Sequence, residues 1–168
     1  MTGPVAIRWA SPADDRPLAE IDRATWWGTI TPAARWSTDR GFFTPGVDPR
    51  NVLVAEVDRV TAGYAQLEAP TPLASNRHVL ELRGLAVLPA YRRRGIGRQL
   101  IAAAINAAAG RDVRRLRLRV LATNHIARGL YASMGFAIEG ILRKEFLIDG
   151  RYVDDVLMAI WIDARGAA

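Results

Sequence analysis

Three consecutive arginines, Arg92, Arg93 and Arg94, are followed at once by Gly95-Ile96-Gly97-Arg98. Guanidinium groups suit phosphate, because they keep their charge and offer paired donors in a fixed plane. Glycines let main chain come close to a ligand. An apolar, strand-like run over residues 82–88 stops at Pro89 before the arginines, and a helical pattern runs on from Gln99. The first N–H groups of a helix have no internal partner and carry partial positive charge, so strand, glycine turn and helix together make an anion site. The P-loop pattern does not fit, because it ends in Gly-Lys-Ser/Thr. The dinucleotide fingerprint does not fit either, because Leu100 stands where its third glycine belongs. What remains is Arg92-x-x-Gly95-x-Gly97, which taken alone also suits a tight strand-to-helix turn with solvated arginines.

A second cluster lies downstream. Asn124, Ala127 and Tyr131 are spaced i, i+3, i+7 and share one helix face. By themselves they read as a helix N-cap, a packing alanine and a half-buried tyrosine. With Leu130, Gly135 and Phe136 they spell Asn-x-x-Ala-x-x-Leu-Tyr-x-x-x-Gly-Phe. The two motifs, in this order and at this separation, resemble those of the GNAT (GCN5-related) N-acetyltransferase superfamily. The resemblance covers residues 79–162 well and residues 4–70 in element order only.

The resemblance implies a position-by-position assignment. Main-chain amides of Arg92, Arg93, Arg94, Gly95, Ile96 and Gly97, with Arg98 beside them, would hold the pyrophosphate of acetyl-CoA. Leu85, Ala86 and Val87 would pair with the pantetheine arm and orient the thioester carbonyl. Asn124 would contact the pantetheine, with Ala127 on the same cofactor-facing surface, and Tyr131 would donate a proton to the departing thiolate. The chemistry is direct attack of an amine on the thioester, which requires neither a metal nor a protein nucleophile.

An amine must be neutral to attack, and near pH 7 an ordinary amine, with a pKa of about 8 to 10, is mostly protonated. A general base is therefore expected. Glu81, five residues before Ala86, has the spacing of the catalytic glutamate in the histone-acetyltransferase branch; the alternative for it is a salt bridge with a neighbouring arginine. His78 and His125 read as surface residues. Glu139 and Glu145 either hold a cationic acceptor or belong to a solvated face. Ribosomal-protein N-terminal acetyltransferases often carry glutamate in a Leu-Glu-Val-Arg context on the strand before the second motif, and here that position is Arg119, which weakens the protein N-terminus as acceptor. The segment 139–158 resembles the C-terminal hairpin of both the phosphinothricin and amino-acid branch and the ribosomal-protein branch.

Composition narrows the remaining classes. The chain has 168 residues, half of them apolar, a net charge of +6 and no cysteine. That length and composition suit one domain with a sizeable core. Without cysteine there is no disulfide, thiolate ligand or thiol nucleophile. No apolar run reaches the roughly 18 to 20 residues of a spanning helix, and no signal peptide is evident, so a cytoplasmic protein is expected. The basic cluster between Arg92 and Arg119 has no interleaved aromatic residue, which favours a phosphorylated small molecule over nucleic acid.

These parts require an α/β scaffold. Strands are expected at 5–9, 51–57, 60–67, 78–87, 115–121, 136–148 and 151–162, with hairpin turns at Asp58-Arg59 and Asp149-Gly150. Helices are expected from Ser11-Pro12 through Thr25, from Thr31-Pro32 to about residue 41, over 96–109, and over 126–134 behind Thr123 or Asn124 as cap. The fold class is a single-domain GNAT-like α/β fold over residues 1–168. A central twisted mixed sheet of about seven strands would be flanked by about four helices, with a CoA-binding core at about 79–136 and the hairpin at 136–162. The function expected is acetyl transfer from acetyl-CoA to a primary amine of a small molecule, with a peptide or protein amine, or a non-catalytic acyl-CoA-binding module, as alternatives. No metal, nucleic acid or membrane partner is expected, and the assembly would be a monomer or homodimer. The aromatics between Trp26 and Phe43 either fill the core or line the acceptor pocket.

Overall fold

The computed structural model describes residues 3–25, 30–32 and 40–162. Seven strands form a mixed sheet in the order β1-β2-β3-β4-β5-β7-β6. They are β1 (Val5–Trp9), β2 (Val52–Val57), β3 (Val60–Glu68), β4 (Val79–Val87), β5 (Arg115–Leu121), β6 (Ala137–Ile148) and β7 (Arg151–Trp161). Among the described residues there are three α-helices, α1 (Asp15–Thr25), α2 (Ile96–Ala109) and α3 (His125–Ser133). The sequence predicts about four; the additional one falls on residues 31–41, of which 33–39 lie outside the described residues. None of the described helices is long and apolar enough to cross a membrane. Both predicted hairpins form. Asp58 and Arg59 have φ of 50° and 67°, and Asp149 and Gly150 have 48° and 75°, the left-handed pair that matches the twist of two-residue hairpins.

The chain divides into two compact units. The first holds β1, α1, β2, β3 to Leu67, β4 from Gly84 and α2 to Ala104. Here β1 pairs antiparallel with β2 from Val5↔Val57 to Trp9↔Leu53, and β2 pairs antiparallel with β3. The α1 stripe of Leu18, Ile21 and Thr25 is buried. Leu18, Ala19 and Ile21 pack with Phe42, Val52, Val54, Tyr64 and Ala86. Each such leucine or isoleucine contributes about 1.5–3 kcal/mol by leaving water. Phe42 meets Phe43 and Tyr64 edge-on, at centroid distances of 5.5 and 4.9 Å. Phe42 is therefore core, while the tryptophans at 26, 27 and 36 lie outside the described residues.

The entry to α1 is fixed electrostatically. A 3-10 turn, Pro12–Asp14, runs into the helix behind Ser11. The buried Asp14 carboxylate accepts the Ser11 N–H at 2.7 Å, the Ser11 hydroxyl at 3.0 Å, and two Arg8 guanidinium bonds at 2.7 and 2.9 Å. Arg8 in turn reaches Glu56 at 3.1 Å, so a strand, a cap and the neighbouring strand are tied together.

The second unit holds the start of β4, the end of α2, β5, α3, β6 and β7. β4 and β5 pair in parallel through Val79↔Arg115, Leu80↔Leu116 and Glu81↔Arg117. β5 pairs antiparallel with β7 along its whole length, and β6 pairs with β7 with two register shifts. α3 ends at Gly135, whose φ of +92° suits glycine as the helix stop.

Replacing Asp14 by Ala is expected to lower stability by about 1–2 kcal/mol at pH 7, the usual scale for a lost N-terminal cap. The Arg8 guanidinium, aided by Ser11, holds this carboxyl down to about 2. Its stabilisation is thus present above its ordinary value and lost as the pH falls through about 2. Urea midpoints for wild type and variant should converge at the acid end, and parallel curves down to pH 2 would refute the assignment.

Candidate active site

The arginine–glycine turn connects β4 to α2. After Val87 the chain makes a 3-10 turn, Pro89–Tyr91, and Arg92 is extended (φ −65°, ψ 163°). Arg93 and Gly95 then take φ of +61° and +77°. Left-handed residues alternating with ordinary ones turn successive N–H groups toward one concavity, the nest that binds anions. Nothing lies within 4 Å of where a β-carbon on Gly95 would stand, so its φ, not crowding, calls for glycine there. Ile96 is 1% exposed and anchors the first turn of α2, while Arg92, Arg93, Arg94 and Arg98 are exposed. Arg92 Nε donates to Val87 O at 3.1 Å, and Arg94 lies over the Tyr91 ring at 5.1 Å. Main-chain donors and exposed cations therefore share one turn.

The edge of β4 can be read from its contacts. Leu88 N–H donates to Ala62 O at 2.8 Å, and Ala86 O lies against Gly63. Residues 86 and 88 thus direct their polar main-chain groups toward β3. Those of Leu85 and Val87 point to the other edge, because successive residues alternate along a strand. β4–β5 pairing ends at Glu81↔Arg117, so that edge has no β5 partner at Leu85 and Val87.

In the second unit Asn124 is the N-cap of α3, its Oδ1 accepting the Ala127 N–H at 3.2 Å. Tyr131, 8% exposed, lies 5.9 Å from the Phe136 ring. Burial pushes its phenol well above the ordinary range, so it stays protonated at neutral pH. Glu81 is 9% exposed, and its Oε2 accepts from Arg117 Nε and Nη2, each at 2.8 Å. Arg119 bonds Asp155 at 2.6 Å and Glu145 at 3.1 Å. Arg115 pairs with Glu139. The alternation Arg115-Leu-Arg117-Leu-Arg119 thus places a row of arginines on one face of β5, each with its own carboxylate. Glu139 and Glu145 are engaged there. Among the described residues no group of three or more His, Asp and Glu side chains is placed to hold a metal.

Asp22 is the residue that the sequence reading passed over. It sits at the i+4 position of the Leu18, Ile21, Thr25 stripe, where an acidic side chain has no business in a plain core helix, and that misfit was its signal. It is 4% exposed, and Tyr64 Oη donates to its Oδ1. Burial pushes its carboxyl up to about 6, and the bond from Tyr64 only partly offsets this.

A mixed sheet with a parallel β4–β5 pair, joined by a helix that starts at an arginine–glycine turn, is the architecture of the N-acetyltransferases. The chain belongs to the acetyltransferase (GNAT) family, whose model matches residues 16–136. It is 31% identical over 125 residues to the ribosomal protein bS18-alanine N-acetyltransferase of Salmonella typhimurium, covering 74% of this chain and 80% of that one. It is 34% identical over 107 residues to the phosphinothricin N-acetyltransferase of Alcaligenes faecalis, covering 63% and 54%. The crystal structure of ribosomal-protein-alanine N-acetyltransferase from Brucella melitensis matches with a TM-score of 0.73 at 28% identity, covering 93% of this chain and 99% of that one. Across several of the curated relatives, the chain spans 54% to 66% of the relative's length.

Asp22 gives a stability prediction. A carboxyl raised in the fold favours folding below its unfolded value, and that advantage is lost as the pH rises through the folded one. Ionised Asp22 therefore costs stability at neutral pH, and Asp22→Asn keeps the acceptor for Tyr64 without the charge. The variant is expected to be more stable than wild type at pH 8, by up to about 3 kcal/mol, with the gap closing toward pH 4. Urea unfolding at the two pH values checks this, and a less stable variant at pH 8 would refute it.

Proposed function

We propose that the protein transfers an acetyl group from acetyl-CoA to a primary amine of a small molecule. The observation that carries the reading is the run of β4 into the turn: a main-chain edge without a β5 partner at Leu85 and Val87, where Val87 O accepts from the Arg92 side chain, leads straight into a cationic nest at 92–97. An extended amide-bearing arm ending in phosphates suits that sequence of features, and family membership points the same way. When bound, acetyl-CoA supplies an activated acetyl group as its thioester.

The residues of this chain then have definite tasks. N–H groups of the 92–97 turn, with Arg92, Arg93, Arg94 and Arg98, neutralise phosphate at the start of α2. Leu85 and Val87 offer main-chain partners to the pantetheine amides, with Ala86 between them fixing the strand against β3. Asn124 and Ala127 form the first turn of α3, and Asn124 retains its side-chain N–H₂ as a donor while its oxygen caps the helix. Tyr131, kept protonated by burial, holds the proton that the thiolate takes as it leaves. Glu81 is the β4 carboxylate facing Arg117, and it receives the amine by charge and hydrogen bond on the oxygen Arg117 does not use.

A peptide amine is the second reading, favoured by the likeness to the Salmonella protein. The small-molecule acceptor is preferred because Arg119, tied to Asp155 and Glu145, offers no base where that branch carries one.

Acetyl-CoA at ~100 times its Kd should stabilise the fold by about 2.7 kcal/mol, a rise of a few degrees in Tm. Tyr131→Phe should keep that rise and lose about 10²-fold in kcat for thiol release, the scale of a lost general acid. A Tm unmoved by millimolar acetyl-CoA would refute the cofactor assignment, and a fully active Phe variant would refute the proton donor.

A further inference from the structure

Four carboxylates are buried among the described residues: Asp14, Asp22, Glu81 and Asp155. Three of them face an arginine, in the pairs Asp14–Arg8, Glu81–Arg117 and Asp155–Arg119. Asp22 does not; its partner is the Tyr64 hydroxyl. A buried carboxyl without a countercharge is costly, and a leucine at the same point of the α1 stripe would cost nothing. Groups kept at such cost are candidates for proton chemistry.

The place of the pair strengthens this. Tyr64 lies on Gly84 of β4. A β-carbon there would stand 3.1 Å from Tyr64 Cε2 and 3.5 Å from Oη, so the absent side chain lets the phenol rest against the strand. Gly84 directly precedes Leu85, where the thioester arm is assigned above. Asp22, Tyr64 and Gly84 thus form a line from the α1 core to the reacting strand, all within one compact unit. Leu18, Ile21, Phe42, Val54 and Ala86 pack in one cluster with Tyr64.

We propose that the Asp22–Tyr64 pair takes up the proton released by the acceptor amine. The inference rests on the acetyl-transfer reading and supplies the proton sink that reading leaves open, since Glu81 there holds the amine while paired with Arg117. The acceptor ammonium gives one proton, directly or through one water, to Tyr64 Oη as the Tyr64 proton moves to Asp22 Oδ1. The neutral nitrogen then forms a bond to the thioester carbon and the carbon–sulfur bond breaks. The sulfur takes the proton of Tyr131, and the nitrogen's second proton restores the Tyr131 phenol. Asp22 returns its proton to solvent between turnovers. A carboxyl whose ordinary value is shifted toward neutrality by burial suits that cycle.

The test uses the full chain, thiol release from acetyl-CoA, and three acceptors: phosphinothricin, an alanine-headed peptide and hydroxylamine, the last already neutral at pH 7. Asp22→Asn and Tyr64→Phe should each lose about 10²-fold in kcat with the acceptor amine that wild type uses. The double variant should be no worse than either single, because the pair acts as a unit. The acid limb of the wild-type pH–rate profile should vanish in Asp22→Asn, hydroxylamine turnover should fall far less, and the Tm rise with acetyl-CoA should be unchanged. Equal losses with hydroxylamine, or a kcat within about threefold of wild type, would overturn the proposal while leaving acetyl transfer intact. Should Asp22→Asn fail to fold, Tyr64→Phe, which keeps the ring on Gly84, decides by the same criteria. Wild type that binds acetyl-CoA but acetylates none of the three would overturn the acceptor reading, and this inference with it.

Discussion

Main-chain hydrogen bonding on β4 changes partners after Glu81, and the candidate site depends on that change. Up to that point the strand is a conventional parallel neighbour of β5, with the pair closing at Glu81↔Arg117. Beyond it, Leu88 keeps its bond to Ala62 of β3, and Ala86 O lies against Gly63. Buried or half-buried peptide groups need partners. A strand edge that its neighbour no longer satisfies is therefore either wet or reserved for a ligand with its own amides. The turn that follows continues the theme, because the first N–H groups of α2 are donors without helical acceptors. One stretch of about a dozen residues thus presents amide partners first and phosphate donors second, in the order that an amide-bearing arm ending in phosphates would need.

The charges around β5 follow a different logic. Arg115, Arg117 and Arg119 alternate with buried leucines, and each arginine is claimed by carboxylates from β4, β6 or β7. Such a ladder adds little net stability where it is exposed. It does restrict register, because a one-residue slip would carry three arginines into the apolar face and Leu116, Leu118 and Val120 out of it. It also engages Arg115, Arg117 and Arg119 with carboxylates of this chain, so these three are not free to meet a polyanion. The arginines of the 92–98 turn remain exposed, and it is there that the net charge of +6 acquires a local meaning.

Much of this was legible in residue order. Alternation located β5, Asp-Arg and Asp-Gly located the hairpins, and Gly110 and Gly135 followed the last turns of α2 and α3. The arginine–glycine turn and the Asn124 cap were legible because each joins distinctive residue types to the local element that positions them. Other features could not be read that way. Asn124 reads both as a cap and as a ligand contact, and only the folded helix shows which atom the cap consumes. Glu81 could be a base or an ion-pair partner, and the choice of Arg117 depends on strand register, a long-range property. Phe42 reads equally as core or pocket until its ring is seen against Tyr64.

Asp22 shows where periodicity misleads. A stripe of Leu18, Ile21 and Thr25 defines a buried face whether or not the residue at i+4 belongs there, so the pattern absorbs the exception. The physics does not. Placing a carboxylate at 4% exposure, with a phenol in place of a guanidinium, is a choice a stability-driven core would not make. Every other buried acid in the described chain has its arginine, so the arrangement is not a general tolerance for buried charge. The phenol that answers Asp22 lies on the glycine one residue before Leu85, where the proposed function puts the thioester arm. A group that weakens the fold at neutral pH, placed beside the strand on which the proposed reaction runs, is better explained by that reaction than by the fold.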